Sequence, residues 1–192
     1  MSTIAKFTIS EYDRMIAAGI FVPKEEHHVE LIRGQVRQMS PVGTLHAAIV
    51  CQLMTWSVRS TPVGQVSVRV QCPIQFDELE SLPEPDIVWA HGKDYHQRHP
   101  VVEEIQLVVE VSESSLAYDR GEKAQLYAQA GIRDYWVVNL VDRVVEVYRE
   151  PADRRYQKVR TFEAGAVISP VEFPNIQLAV ADLWPQQRAQ RS

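Results

Sequence analysis

The sequence contains little cysteine, no long apolar run and no excess of positive charge. Its two cysteines, Cys51 and Cys72, lie among apolar residues and form no CxxC motif. A disulfide framework is therefore not indicated, and a reduced, cytoplasmic protein is expected. No stretch approaches the ~18 consecutive apolar residues of a membrane span. The N-terminal stretch, MSTIAKFTISEYDR, lacks the apolar core of a signal peptide.

Several motifs of common catalytic and nucleotide-binding sites are also missing. The sequence has neither GxxxxGK[ST] nor GxGxxG, so no nucleotide cofactor is expected. It has no GxSxG motif for a serine nucleophile. His91, His96 and His99 are irregularly spaced and have no cysteine nearby, which favours a solvated loop over a zinc site.

Length and composition are typical of one globular domain with its own core. The 192 residues are 45% hydrophobic and 23% charged. The formal net charge of −5 argues against a large surface for nucleic acid. Basic residues do cluster between Arg143 and Arg160. This cluster is compatible with a phosphate-facing patch and equally with the solvated face of a hairpin.

Apolar periodicity predicts a mixed sheet. Alternation over Val66–Phe76 indicates a strand, and Pro73 within it indicates an edge or a bend. Continuous apolar runs over Ile105–Val111 and Tyr135–Leu140 indicate central strands that are covered on both faces.

Helical patterns lie between these strands. One helix is predicted from Leu45 to about Ser60, and a second is predicted to open at Asp119 as its N-cap. We therefore expect one α/β or α+β domain over residues 1–185, followed by a polar tail over residues 186–192.

The stretch Leu107–Tyr135 contains the strongest candidates for chemistry. Glu110 lies inside an apolar strand, and a buried carboxylate needs a partner or an ion. Asp86 precedes another short strand, so the two acids can converge at the ends of adjacent strands. Together with the backbone carbonyl of Val111, they would suit Mg²⁺ or Mn²⁺, and they indicate metal-assisted phosphodiester chemistry. The alternative is that each acid merely caps a strand or binds a nearby amide.

Lys123 is the third candidate. Asp119, Lys123 and Tyr127 are spaced to share one helical face. A lysine near two carboxylates and a metal would orient the attacking water and stabilise charge in the transition state. The alternative is an exposed ion pair between Asp119 and Lys123, which would contribute little.

Glu30 and His46 are secondary candidates, at the start of a strand and of a helix. Glu30 would supply another oxygen to the metal or accept a proton from water. His46 would contact phosphate or take part in proton transfer. Structural roles, as a strand-end acid and a helix N-terminal histidine, stay open for both.

A set of short motifs in a fixed order carries a resemblance to a known family. They are ELIRG from Glu30, the loop from Ser40 to His46, PEPDIV from Pro83, VEVS from Val109, and the spaced residues Asp119, Lys123, Tyr127, Gly131, Ile132, Tyr135 and Trp136. From about Phe7 to Trp184, the chain resembles the Uma-two family of restriction endonucleases in the PD-(D/E)XK nuclease superfamily.

The resemblance implies a restriction-endonuclease-like core and a divalent-metal nuclease site. Asp86 and Glu110 match the two motif acids. The chain departs from the superfamily pattern at Ser112, where a lysine is usual. The resemblance therefore implies Lys123, on the following helix, as the replacement.

By the same resemblance, Glu30 matches an additional acid and His46 matches a histidine that often recurs at its position. The leading hypothesis is a Mg²⁺-dependent DNA endonuclease that acts as a homodimer, with contacts through Trp56, Trp89 or the apolar C-terminal strands. The main alternative is a catalytically silent nuclease-fold module that binds nucleic acid or a protein partner. RNA or a nucleotide as the substrate also stays open.

Overall fold

The computed structural model describes residues 4–21, 29–39 and 42–184. In chain order its main elements are α1 (Ile9–Ala17), β1 (Val29–Ile32), β2 (Gln35–Gln38), α2 (Thr44–Ser60), β3 (Val66–Val70), β4 (Ile87–His91), β5 (Ile105–Ser112), α3, β6 (Asp134–Asn139), β7 (Val144–Ala152), β8 (Arg155–Phe162), β9 (Val167–Ile168) and β10 (Leu178–Ala179). Helix α3 is continuous through Leu116–Tyr118, a π-helical turn over Asp119–Lys123, and Ala124–Ala130. Among the described residues, no helix has both the length and the apolarity needed to cross a bilayer.

Six strands form the central sheet in the order β3-β4-β5-β6-β7-β8. Strands β5 and β6 are parallel, and every other neighbouring pair is antiparallel. Helix α3 connects the parallel pair, because a parallel connection must cross over the sheet. The sheet is mixed and single-domain, as the sequence predicts. The predicted domain limit at residue 185 and the tail lie outside the described residues.

Two apolar cores cover the sheet. On one face, α2 packs through Ile49 and Leu53 against a layer that includes Trp89 and Trp136. On the other face, α3 packs through Leu126 and Tyr127. Burial on both faces explains the unbroken apolar runs of β5 and β6, in which every residue is buried.

Strand β3 is shorter than predicted. It ends at Val70 rather than Phe76, because Gln71 takes a left-handed conformation with φ 48° and turns the chain away. Pro73 then has no N–H with which to continue the ladder. Ile74 and Phe76 are still buried, but they reach the core from an irregular segment.

The predicted N-cap role of Asp119 is wrong. Helix α3 begins at Leu116, and Asp119 has helical dihedral angles (φ −68°, ψ −39°). Its carboxylate does not cap the helix because the hydroxyl groups of Ser112 and Ser115 both donate to it, at 2.7 and 2.6 Å.

Two further predictions change with the structure. Trp89 is fully buried and stacks with Trp56, so it is not available for a contact between subunits. Both cysteines are free, as expected, but Cys51 is exposed rather than in an apolar setting.

Candidate active site

A cavity of about 340 Å³ opens at the C-terminal end of β5. Side chains from the β1–β2 hairpin, the start of α2, the start of β4, the end of β5 and α3 line it. The charged lining residues are Glu30, Arg37, Asp86, Glu110, Glu113, Asp119 and Lys123. All five candidates from the sequence, Glu30, His46, Asp86, Glu110 and Lys123, therefore lie in one cavity.

Asp86 enters the cavity immediately before β4. The antiparallel register pairs Ile87 with Val109, which brings Asp86 to the end of β5. Its Oδ2 accepts hydrogen bonds from the backbone N–H of Val111 at 2.8 Å and lies 3.1 Å from Nε2 of His46. Its Oδ1 accepts a longer hydrogen bond of 3.3 Å from the amide of Gln71. Three separate elements thus hold this carboxylate in place.

Glu110 and Lys123 form the buried centre of the cavity. The ammonium group of Lys123 donates to Oε1 of Glu110 at 2.9 Å and lies 3.2 Å from Oε2 of Glu30. The hydroxyl of Tyr127 donates to the same Glu110 oxygen at 2.7 Å. These two contacts confirm the prediction that Lys123 and Tyr127 share one helical face. The alternative, an exposed ion pair between Asp119 and Lys123, is wrong because Lys123 exposes only 3% of its side chain.

Glu30 is held from two sides. The backbone N–H of Glu84 donates to its Oε2 at 3.2 Å, and the hydroxyl of Tyr118 donates to its Oε1 at 3.3 Å. These bonds keep Glu30 facing Lys123, across the gap between the β1–β2 hairpin and α3.

Burial dominates the electrostatics of this centre. It raises the pKa of Glu110 well above the ordinary value of 4.5, and the ammonium group of Lys123 opposes that shift. Burial lowers the pKa of Lys123, but the carboxylates of Glu110, Glu30 and Asp119 outweigh it and hold that pKa well above 10.5. Lys123 therefore stays protonated, and Glu110 depends on a nearby cation for its negative charge.

The imidazole of His46 forms a hydrogen bond with Asp86. Burial lowers the pKa of the His46 imidazole, but the hydrogen bond and the charge of Asp86 raise it, and the net shift is upward. Its Nδ1 is buried and has no hydrogen-bond partner among the described residues. His46 thus orients Asp86 from the first turn of α2.

Asp119 lines the same cavity and was not predicted as a site residue. It is 2% exposed, and burial raises its pKa. The π-helical turn that begins at Asp119 turns it, together with Lys123, toward the end of β5; turns of this kind are frequent at functional sites. In the sequence, Ser112 and Ser115 could have indicated this position of Asp119, because both hydroxyls can donate to its carboxylate.

The donor set fits a hard divalent cation. Asp86 and Glu110 supply carboxylate oxygens, and the hydrogen bonds from Lys123 and Tyr127 both go to Oε1 of Glu110 rather than to Oε2. Within the described ranges, no group of three or more His, Cys, Asp or Glu residues is arranged to hold a metal. A site of two carboxylates and a backbone carbonyl is still in keeping with Mg²⁺, which usually retains several waters.

The basic cluster between Arg143 and Arg160 does not form one patch beside the cavity. Because Val144 pairs with Asn139 at the end of β6, Arg143 lies at the cavity end of the sheet. Arg154 and Arg155 lie at the turn between β7 and β8, at the opposite end. The structure therefore favours the interpretation of this segment as the solvated face of a hairpin.

Comparison with known proteins gives a matching family and a similar fold. Residues 9–181 match the model of the Uma2 family, described as "Putative restriction endonuclease". The chain belongs to this family. The fold is also similar to that of a crystal structure described as a "putative nuclease belonging to DUF820" from Anabaena variabilis, with a TM-score of 0.70 and 17% identity over 92% of this chain and 97% of the other. None of the curated proteins compared with the chain shows significant similarity to it.

Membership in the Uma2 family confirms the resemblance seen in the sequence and supports a nuclease. The match spans the β1–β2 hairpin, the start of α2, the start of β4, the end of β5, and α3, so it includes every element that lines the cavity.

Proposed function

We propose that the protein is a divalent-metal-dependent endonuclease that hydrolyses phosphodiester bonds of DNA. The observation that carries the proposal is that Asp86, Glu110 and Lys123 converge in one cavity, although they come from the segment before β4, from β5 and from α3. A protein that only needed stability would rarely place so many ionisable groups together in a buried position, because each must be compensated.

Each of these three groups would have a role in this chemistry. Asp86, Glu110 and the backbone carbonyl of Val111 would hold Mg²⁺ or Mn²⁺. When bound, such an ion polarises the phosphate and lowers the pKa of a water molecule. The ammonium group of Lys123 would orient the attacking water and stabilise the negative charge that develops on the phosphate.

The neighbouring side chains would keep that arrangement in place. Tyr127 fixes Glu110 through its hydroxyl, and His46 fixes Asp86 through Nε2. Glu30 holds Lys123 from the other side and would accept a proton from the water. Two such sites would cut both strands of a duplex together, so we propose a homodimer on the substrate, which light scattering of the protein with a DNA duplex tests.

Nicking of supercoiled plasmid tests the proposal. Wild-type protein should nick DNA with Mg²⁺ or Mn²⁺ and not with EDTA. Lys123→Gln should lower the rate on the order of 10²-fold or more, as the loss of a group that stabilises charge in the transition state usually does. Lys158→Gln, which removes an exposed lysine paired with Glu150, is the matched control and should nick at the wild-type rate. Full activity in EDTA, or in Lys123→Gln, would refute the proposal.

One observation favours a second function. Lys123 is already saturated by two carboxylates, as it would be in a structural ion-pair network. In that case the protein is a nuclease-fold module that binds nucleic acid or a protein partner without cutting. It would then leave plasmid and single-stranded RNA intact under every metal condition, while a labelled DNA duplex still binds. RNA cut in place of DNA would keep the chemistry and change the substrate.

A further inference from the structure

We propose that Arg37 is a substrate-binding residue that contacts a phosphate of the nucleic-acid strand next to the bond that is cut. This inference rests on the function proposed above and extends it from the metal site to the binding of the polyanion.

The position of Arg37 follows from the hairpin register. Arg37 on β2 pairs with Glu30 on β1, so both side chains leave the hairpin on the same face. Glu30 is 2% exposed and reaches Lys123. Arg37 stands beside it with 41% of its side chain exposed, so it lies at the rim of the same cavity.

The cavity needs a cation at this rim. Its described lining contains five acidic residues, Glu30, Asp86, Glu110, Glu113 and Asp119, against two residues with a permanent positive charge, Arg37 and Lys123. Lys123 is enclosed between two carboxylates. Arg37 is therefore the strongly basic side chain of the described lining that an entering phosphate can reach.

The present partner of Arg37 can be exchanged. Its Nη2 donates to Oε1 and Oε2 of Glu122 at 2.9 and 3.3 Å, and Glu122 is itself 35% exposed. Exposed pairs of this kind contribute little to stability, because water screens both charges. The Nε of Arg37 is buried without a hydrogen-bond partner among the described residues, so Glu122, which is bound through Nη2, does not satisfy the whole guanidinium group. A phosphate offers stronger, bidentate hydrogen bonds in the same orientation.

Glu122 lies one residue before Lys123, in the π-helical turn. In the absence of nucleic acid it neutralises Arg37 and closes the rim between the hairpin and α3. When the phosphate enters, Arg37 exchanges Glu122 for the phosphate oxygens. No covalent step is involved.

Binding and cleavage of a fluorescein-labelled DNA duplex test the proposal. Binding is measured by anisotropy with Ca²⁺ in place of Mg²⁺, over a series of salt concentrations, and cleavage is measured with Mg²⁺. Arg37→Gln should weaken binding roughly tenfold, the usual order for one charge-assisted contact. It should also lower the slope of log K against log salt by about one, as the loss of one phosphate contact does. The KM should rise by a similar factor while kcat changes by less than about twofold.

Three variants complete the design. Arg33→Gln removes a charge from the same hairpin outside the cavity lining and should bind as the wild type does. Arg37→Lys keeps the charge and should retain most of the salt slope but only part of the affinity. Glu122→Gln removes the negative charge that competes for Arg37 and should bind more tightly than the wild type.

The outcomes separate the two proposals. If wild-type protein binds and cuts, but Arg37→Gln matches Arg33→Gln, the role of Arg37 is refuted and the nuclease function stands. If Arg37→Gln also loses Mn²⁺ binding in a calorimetric titration, Arg37 supports the metal site rather than the substrate, which equally refutes the proposal. If Glu122→Gln binds more weakly, Glu122 positions Arg37 and the exchange is refuted. Wild-type protein that neither binds nor cuts refutes both proposals.

Discussion

Replacement of Lys123 by methionine tests the energetic importance of the cation at the centre of the cavity. Lys123 is 3% exposed and lies 2.9 Å from Glu110 and 3.2 Å from Glu30. Without it, two buried carboxylates lose the charge that compensates them. Breaking a buried pair from one side costs about 3–5 kcal/mol, so Lys123→Met should lower the free energy of unfolding by about that much near pH 8.

The loss should shrink as the pH falls. Burial already raises the pKa of Glu110, and removal of Lys123 raises it further. A carboxyl group whose pKa is higher in the folded state contributes stability that is fully present below its unfolded pKa. That stability is lost as the pH rises through the folded pKa. Lys123→Met should therefore lie closest to the wild type near pH 5 and furthest from it near pH 8.

Urea unfolding followed by tryptophan fluorescence at both pH values measures this difference. Lys158→Met is the control, because its pair with Glu150 has exposed fractions of 45% and 62% and contributes about 0–1 kcal/mol. A loss in Lys123→Met no larger than in Lys158→Met, or one that is equal at both pH values, would refute the reasoning.

Two further predictions concern stability away from the cavity. Glu104, whose pKa is lowered to about 2 mainly by its hydrogen bonds to Arg98, stabilises the fold above its unfolded pKa, and this contribution is lost as the pH falls from about 4.5 to about 2. Because Arg98 is 48% exposed, solvent screening reduces this contribution to about 1–2 kcal/mol. In urea unfolding at pH 7, Glu104→Gln should lower the free energy of unfolding by that amount. An equal loss at pH 2 would contradict the account. Gly92→Ala should lower the unfolding free energy by about 1–3 kcal/mol, because its Cβ would lie 2.0 Å from the carbonyl oxygen of Gly64. Gly165→Ala, which has open space around its Cβ, is the control, and equal melting temperatures for both variants would contradict the reasoning.

Glu110 could be predicted as a site residue because it is a charged side chain in a stretch that otherwise looks buried. Glu110 interrupts a run of apolar residues, and the pattern of that run fixes its strand. Such an acid has to find a cation, and Lys123 on the following helix was the candidate. The structure confirms the contact at 2.9 Å.

Asp119 shows where local patterns fail. Asp119 followed by Glu122 resembles a capping box, so the sequence favours a helix start there. The helix instead begins earlier, because the side chains of Ser112 and Ser115 bind the Asp119 carboxylate. The π-helical turn over Asp119–Lys123 was not predicted either, because apolar spacing does not distinguish it from an α-helical turn.

Contacts between distant segments were the least predictable part. Gln71 reaches Asp86 because its left-handed conformation turns the chain at the end of β3, and Pro73 indicated a bend without giving its position. The position of Arg37 beside the site, in contrast, could have been predicted from the sequence. A hairpin that turns at Arg33 and Gly34 pairs position 37 with Glu30, so the register alone places a basic side chain beside the site.

Calorimetric titration of Mg²⁺ and Mn²⁺ tests the central claim most directly. The titrations compare wild-type protein with Asp86→Asn, Glu110→Gln and the control Asp182→Asn, which changes an exposed acid outside the cavity. The account predicts binding to the wild type and to Asp182→Asn, and its loss in both cavity variants while they remain folded. Binding that survives in Asp86→Asn and Glu110→Gln, or a folded wild-type protein that binds neither ion with DNA present, would contradict the claim that these two carboxylates form a metal site.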